Sequence, residues 1–387
     1  MQAPQHDVMV RGAGAVGLAT ALALSKLSLR VALLGDPPAA GPRADDVRAY
    51  ALNAASVRLL QSLRVWDALP AATRTPVHDM RVEGDDAGAA LHFSAWTMAL
   101  PELAWIVDAA ALDEALRTAL RFAPHVDVVA QELPAQLLVV AEGKAAATRD
   151  RLGVQWHAQR YGQHAVAARL LSHQPHAGLA RQWFRSPDVL ALLPLTLPAL
   201  PGAGPDGTVG RTGHALALVW SLPDERAAEL ATCDETRFLA LLGEATGGAA
   251  GELTLASGRS TWPLQLAHAD RIAGPGWVLV GDAAHVVHPL AGQGLNLGFA
   301  DVAALADVLA ARQRDEPWRP LGDARLLARY ARARALPTAA MAGVTDGLLQ
   351  LFASPWPLAR ELRNRGLGLA DALPPLKRWL TRQALGA

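Results

Sequence analysis

Two stretches of this sequence place residue types at spacings that can do chemistry. The first is Gly12-Ala-Gly14-Ala-Val-Gly17, preceded by the apolar Val8-Met9-Val10 and followed by the strong helix formers of Leu18–Lys26. Strand, glycine turn and helix in that order form the context in which a GxGxxG string holds a dinucleotide. Gly12 permits the tight turn, Gly14 lets a pyrophosphate approach the backbone, and Gly17 lets helix and strand pack closely. The helix N-terminus then offers free N–H groups and the positive end of its dipole to the phosphates. Leu29–Leu34 supplies a second strand at βαβ spacing. Such a site expects an acidic residue at the end of that strand, accepting from ribose hydroxyls. Gly35 holds the usual position and Asp36 follows it, which makes Asp36 the candidate ribose ligand.

The second stretch is longer and more specific. Gly276-Trp-Val-Leu-Val-Gly281-Asp282-Ala-Ala-His285 reads as a strand ending in Gly-Asp. It continues through His288-Pro289-Leu-Ala-Gly292-Gln-Gly294-Leu295-Asn296 into a helix that carries Asp301. A carboxylate at a strand end, Asp282, can accept from a ribityl hydroxyl. A glycine turn opening a helix can aim backbone N–H groups at the negative edge of a reduced flavin ring.

Other elements must position these turns. Leu112, Leu116 and Leu120 recur at i,i+4 and predict a core-facing helix over 110–120. Segments 76–98 and 154–262 contain strand-like runs between Gly/Pro turns, such as His78–Glu83 and Ala215–Trp220, interrupted by one helical stretch around Pro223–Leu242. They read as the sheet of a substrate-covering domain inserted twice into the nucleotide-binding one.

Composition narrows the function classes. Of 387 residues 51% are apolar and 19% charged, enough to bury a large core and too few charges for a disordered chain. Thirty-six basic residues balance thirty-six acidic ones, which argues against a nucleic-acid binder. Cys233 stands alone, so no internal disulfide forms, and no Cys/His cluster has zinc spacing; no metal site is expected. The N-terminus lacks the charged and apolar regions of a signal peptide. The two long uncharged runs, 189–205 and 283–300, are broken by prolines or by glycines and polar residues, so no transmembrane helix is expected and a cytoplasmic location is. His164, His214, His268 and His288 have no fixed partner in the sequence; His288, beside Pro289, has the best claim to a catalytic role. From Asp323 onward ten Lys/Arg face four acids. Leu376, Trp379, Leu380 and Ala384 share a helical face with Lys377, Arg378 and Arg382 around it. Such a helix can lie on an anionic membrane surface or dock on the protein with a solvated basic face.

The strings GAGAVGLATAL, DVRAYALN and GDAAHVVHPLAGQGLNLGFADVAAL together resemble the FAD-dependent aromatic hydroxylases of the para-hydroxybenzoate hydroxylase fold. Tyr161-Gly-Gln-His, Ala217-Leu-Val-Trp-Ser-Leu-Pro223, Trp262-Pro-Leu264 and Arg363-Asn-Arg-Gly366 are similar to the ubiquinone-biosynthesis branch, the UbiH/UbiF/VisC type. The resemblance covers nearly the whole chain.

It implies an α/β fold, α+β overall. A Rossmann-like FAD-binding domain (1–75, 99–153 and 263–335) would carry an inserted β-sheet substrate domain (76–98 and 154–262) and a helical C-terminal segment (336–387). Gly12, Gly14 and Gly17 would hold the FAD pyrophosphate, and Arg48 would lie near the cofactor. Gly281 and Asp282 would bind the ribityl chain. Gly292, Gly294, Leu295 and Asn296 would line the pyrimidine edge of the ring, with Pro289 between flavin and substrate. Pro289, Arg48 and His288 form the candidate catalytic set, although the flavin carries the chemistry. The implied reaction uses NAD(P)H to reduce FAD and O2 to hydroxylate an electron-rich, prenylated phenol. NAD(P)H would bind transiently, since no second GxGxxG is present. The basic C-terminus would make a peripheral contact with the inner membrane or with a ubiquinone-biosynthesis complex.

Four features depart from the family pattern. The acidic ribose ligand is displaced from residue 35, and Arg11 replaces an apolar residue before the glycine turn. The middle motif, Gly-Ala-Asp-Gly followed by Ser and Arg, keeps Gly143 and Arg149 but has Val140, Glu142 and Ala146 at the other positions. Only residues 130–136 separate Val129 from Leu137, where relatives carry a β-hairpin. These departures leave a second reading open: a non-catalytic or cofactor-weakened paralogue acting as a binding subunit in the same pathway.

Overall fold

The computed structural model describes residues 5–35, 46–84, 90–196, 214–288 and 293–353. Asp36, Pro289, Gly292 and the amphipathic stretch 376–384 lie outside the described residues. Along the chain the strands are Val8–Arg11 (β1), Val31–Leu34 (β2), Ala49–Leu52 (β3), Arg74–Val77 (β4), Asp79–Glu83 (β5), Ala90–Ser94 (β6), Ala104–Asp108 (β7), Val126–Val129 (β8) and Leu137–Val140 (β9). There follow Trp156–Ser172 (β10), Leu179–Arg185 (β11), Asp188–Leu195 (β12), Ala215–Pro223 (β13), Leu253–Leu255 (β14), Ser260–Ala269 (β15), Ala273–Gly274 (β16), Trp277–Leu279 (β17) and His285–Val286 (β18). The helices are Ala15–Ser25 (α1), Ala54–Ser62 (α2), Ala109–Arg121 (α3), Ala147–Arg151 (α4), Asp224–Thr232 (α5), Glu235–Thr246 (α6), Gln293–Asp315 (α7) and Ala324–Ala353 (α8).

The first sheet runs β16-β17-β9-β1-β2-β8, parallel except for β16. Its central strands read as unbroken apolar runs because both faces are covered. Leu18 and Leu22 of α1, Leu112 and Leu116 of α3, and Phe299 and Leu305 of α7 share one core with Val8, Val10, Val31 and Val139. Asp108 starts α3 by accepting from the Ala111 N–H at 2.9 Å, the usual work of an N-cap carboxylate.

The largest sheet runs β18-β15-β10-β13-β12-β11-β5-β6 with β14 beside β10. One face packs Val166, Leu192 and Trp220 on Phe238 and Leu242 of α6. The other packs Ala180, Leu195 and Ala217 on Val77 and Ile106 of a small third sheet, β3-β7-β4. The expected segment boundaries at 75/76 and 262/263 fall inside β4 and β15. The helical stretch expected around 223–242 is two helices, not one. Cys233 is extended (φ −62°, ψ 160°), and Asp234 restarts the helix by accepting from the Arg237 N–H at 2.8 Å.

By length and composition α7 is long and apolar enough to cross a membrane. In this fold it is a core helix, packed on α1, α2 and α8 and carrying the buried polar residues Asn296 and Asp301.

Candidate functional site

The three glycines of the first turn do three different things. Gly12 has φ +110°, and a Cβ there would sit 2.3 Å from the Ala141 carbonyl oxygen, so β1 and β9 meet only over a glycine. A Cβ at Gly17 would lie 1.8 Å from the Gly12 oxygen, which fixes how closely α1 follows β1. A Cβ at Gly14 meets nothing within 4 Å, and Gly14 lines a cavity together with Ala15 and Val16. Gly14 is also the N-cap of α1 and makes no side-chain cap, so the first-turn N–H groups are left to a ligand. The second strand offers no acid at residue 35: a Cβ on Gly35 would lie 2.2 Å from the Ala13 Cβ.

The turn after β9 stands beside it. Gly143 (φ +76°) and Lys144 line the same cavity. Glu142 is bonded to other protein groups, accepting from Arg11 Nε at 2.7 Å, from the Thr148 N–H at 3.1 Å and from Thr148 Oγ1 at 2.8 Å. Partial burial would raise its pKa, but these bonds hold it below the usual carboxylate range. Arg11 also pairs with Glu132. Arg149 is buried; it donates to the carbonyls of Ala283 (3.1 Å) and Lys144 (3.0 Å) and lies 3.7 Å from the Trp156 ring centroid. It thereby ties the turn after β9 to the turn after β17.

In that third turn Gly281 takes φ +60° and Asp282 lines the cavity. Burial pushes the Asp282 carboxyl above its ordinary pKa, opposed by the charges of Lys144 and His285. The first turn of α7 contributes Gly294 and Leu295, again with open space at Gly294. Arg48 closes one side. Its guanidinium donates to Asp46 at 2.8 and 2.7 Å and stands 5.9 Å from the Tyr50 ring centroid. The bond to Asp46 keeps Arg48 firmly charged, while burial pushes the Tyr50 phenol up.

Gly14, Arg48, Asp282, Gly294 and Leu295 thus line one cavity of about 740 Å3, within the size range of small-molecule sites. Its far wall is the large sheet, where Ala167, Ala180, Ala191 and Leu193 leave room, with Met80 beside Ala180 in the same sheet, Arg181 and Gln182 of β11 next to them, and Ile106 of the small sheet also lining the cavity. Gly12, Gly17 and Gly281 shape the turns from behind. Asn296 backs the wall: its side chain accepts from the Asn53 N–H (3.0 Å) and Ser56 Oγ (2.7 Å) and donates to the Ala51 carbonyl (2.8 Å).

His288 is not among the described residues that line the cavity. It is fully buried outside the cavity lining, edge-on to Tyr161 at 5.5 Å, with neither ring nitrogen bonded among the described residues. Burial holds its pKa down to about 4, so it is neutral. Lys144, Asp46 and Tyr50 line the cavity without having been singled out by the sequence. The last two lie in or beside the DVRAYALN string, and Lys144 follows Gly143 in the altered middle motif, which was the available signal. The site fits FAD: an open glycine, an uncapped helix start and a cavity carboxylate are the donor and acceptor types that its phosphates and ribityl hydroxyls require.

Residues 121–343 match the family described as FAD binding domain. The chain is 31% identical to the 3-demethoxyubiquinol 3-hydroxylase of Escherichia coli, over 98% of each chain. It is 30% identical to the ubiquinone hydroxylase UbiL of Rhodospirillum rubrum, over 98% of this chain and 89% of that one. A crystal structure of PqsL, a probable FAD-dependent monooxygenase from Pseudomonas aeruginosa, shares the fold with a TM-score of 0.74 at 20% identity, over 94% of this chain and 99% of that one. The chain belongs to the FAD-binding monooxygenase family that includes these ubiquinone hydroxylases.

Proposed function

We propose that this chain hydroxylates a polyprenylated phenol in ubiquinone biosynthesis, with FAD as resident cofactor, O2 as co-substrate and NAD(P)H as a transient reductant. The observation that carries this reading is the continuity of one cavity. It runs from the glycine turn and Asp282 at its polar end to the alanine-floored sheet at its apolar end. Bound FAD supplies the oxygen activation and hydroxyl transfer that side chains cannot.

The residues supply the rest. Gly14 and the first turn of α1 receive the pyrophosphate, and Asp282 accepts from the ribityl chain. The first turn of α7 directs N–H groups at the ring, as Gly292 just before it would, and Pro289 would sit between flavin and substrate. The apolar walls exclude water from the reacting face. Asp46 and Asp282 are the acids among the described lining residues, and Asp46 is paired with Arg48; Arg181 and Gln182 stand beside the alanines, so that end suits a phenol hydroxyl followed by an apolar tail. The basic C-terminal sequence suits work at the surface of the inner membrane, where such a substrate resides. The two departures at Arg11 and Glu142 satisfy each other, which favours an enzyme over a degraded paralogue.

Purified protein tests the reading. It should be yellow, bleach on addition of NADH or NADPH, and bleach faster with a short-chain prenylphenol present. The phenol should gain one oxygen atom derived from labelled O2. Colourless protein that does not take up FAD would overturn it.

A further inference from the structure

Asp301 lies mid-way along α7 among the apolar Phe299, Val302 and Leu305, fully excluded from solvent and outside the cavity lining. It accepts from three separate elements. Oδ2 takes the Gly281 N–H at 2.8 Å and His285 Nε2 at 2.7 Å; Oδ1 takes Arg334 Nε of α8 at 2.6 Å. Gly281 immediately precedes Asp282 and His285 follows it by three residues, so one carboxylate grips both ends of the turn that presents Asp282 to the cavity. The helix that supplies Arg334 also holds the strand entering that turn. Tyr330, one helical turn earlier, is fully buried and donates from its hydroxyl to the Leu279 carbonyl at 2.8 Å. Arg334 itself is buried and reaches the Leu297 carbonyl at 3.4 Å.

A buried ion pair is a poor way to gain stability, since well-packed apolar residues of the same volume often do as well. Fixed geometry is what a fully satisfied buried network provides instead. We propose that Asp301 is a positioning residue of the cofactor site, held in place by Arg334, so that docking of α8 is a condition for Asp282 to face the cofactor. The proposal rests on the FAD reading for what Asp282 binds. It adds that α8, which contributes nothing to the described cavity lining, controls the grip.

FAD titration of deflavinated full-length protein, followed by flavin fluorescence and by the visible circular dichroism of the bound ring, tests this in wild type, Asp301→Asn, Arg334→Met and Arg334→Lys. The Asn and Met variants should bind FAD roughly ten- to a hundredfold more weakly, by analogy with the loss when the residues that orient metal ligands are replaced. Their bound flavin should show an altered dichroic band, and Arg334→Lys should recover part of both. Wild type that binds no FAD would sink the cofactor reading. Wild type that binds while Asp301→Asn and Arg334→Met bind equally well, with the same spectrum, would sink the clamp. If those two variants do not fold, Arg334→Lys decides by hydrogen exchange: faster exchange at the Gly281 amide supports the clamp, and unchanged exchange overturns it, whether or not flavin is bound.

Discussion

Arg11 Nε donates to Glu142 Oε1 at 2.7 Å, joining the residue before the first glycine turn to the turn after the neighbouring strand. Strands β1 and β9 run parallel with Arg11 beside Val140, so the two positions are brought together by register. Both side chains are more than four-fifths buried, where a charge-assisted bond counts. Arg11→Leu or Glu142→Ala alone should therefore cost about 1–3 kcal/mol, because each removes a charge-assisted bond, although Glu142 keeps Thr148 and Arg11 keeps Glu132. The double substitution should cost less than the sum. Urea unfolding of the four proteins measures the coupling, and a value near zero would refute the pairing.

Gly12 and Gly14 should fail in different ways when replaced by alanine. At Gly12 the new Cβ collides with the Ala141 carbonyl at φ +110°, so the flavin-free protein itself should lose stability. At Gly14 the backbone is extended, with φ −79°, and the space is open. Gly14→Ala should change stability by less than about 1 kcal/mol yet weaken FAD binding, because the methyl group occupies the pyrophosphate's approach. Melting of the flavin-free protein beside an FAD titration separates the two; equal FAD affinity in Gly14→Ala would remove the phosphate site from this turn.

Asp282→Ala should abolish flavin retention without destabilising the flavin-free chain. The carboxylate is held against a desolvation cost that raises its pKa, and its removal relieves that cost. Gel filtration with absorbance at two wavelengths reads retention, and flavin that stays bound would disprove the assignment.

His288 predicts acid sensitivity with a definite sign. Its folded-state pKa is about 4, while an unfolded histidine titrates near ~6.5. The unfolded chain therefore takes up the proton first as pH falls, and stability drops between those two values by about 3 kcal/mol, with no further loss from this group below them. His288→Phe keeps an aromatic edge against Tyr161 and removes the titration. Its urea midpoint should fall less from pH 7 to pH 5 than that of wild type; parallel curves would show that His288 finds a partner.

The first turn was readable because its chemistry is local: a strand, three glycines and a helix lie within twenty residues, and each glycine has its own steric reason. Asp282 was readable for the same cause, a carboxylate at a strand end. The alanine floor was not. Ala167, Ala180 and Ala191 look like ordinary small strand residues until the pairing of β10, β13, β12 and β11 sets them on one face. His288 looked catalytic beside Pro289, and only Tyr161, far away in sequence, shows it packed inside. Asp301 appeared as one acid in an apolar helix; what it holds depends on a turn twenty residues before it and a helix thirty-three residues after. The break between α5 and α6 was within reach, since Asp234 opening Glu-Thr-Arg is a capping sequence.

The strand order β17-β9-β1 has a consequence for how the chain is made. The first glycine turn and the middle motif leave the ribosome within 149 residues, whereas β17 begins at residue 277 and Arg334 follows later still. Throughout synthesis of the large sheet, the nascent chain carries the apolar Leu137–Val140 strand with one edge unpaired, the kind of edge that invites association with other chains. The pocket can then close only once the segment from β17 to the first turn of α7 has emerged and returned to it.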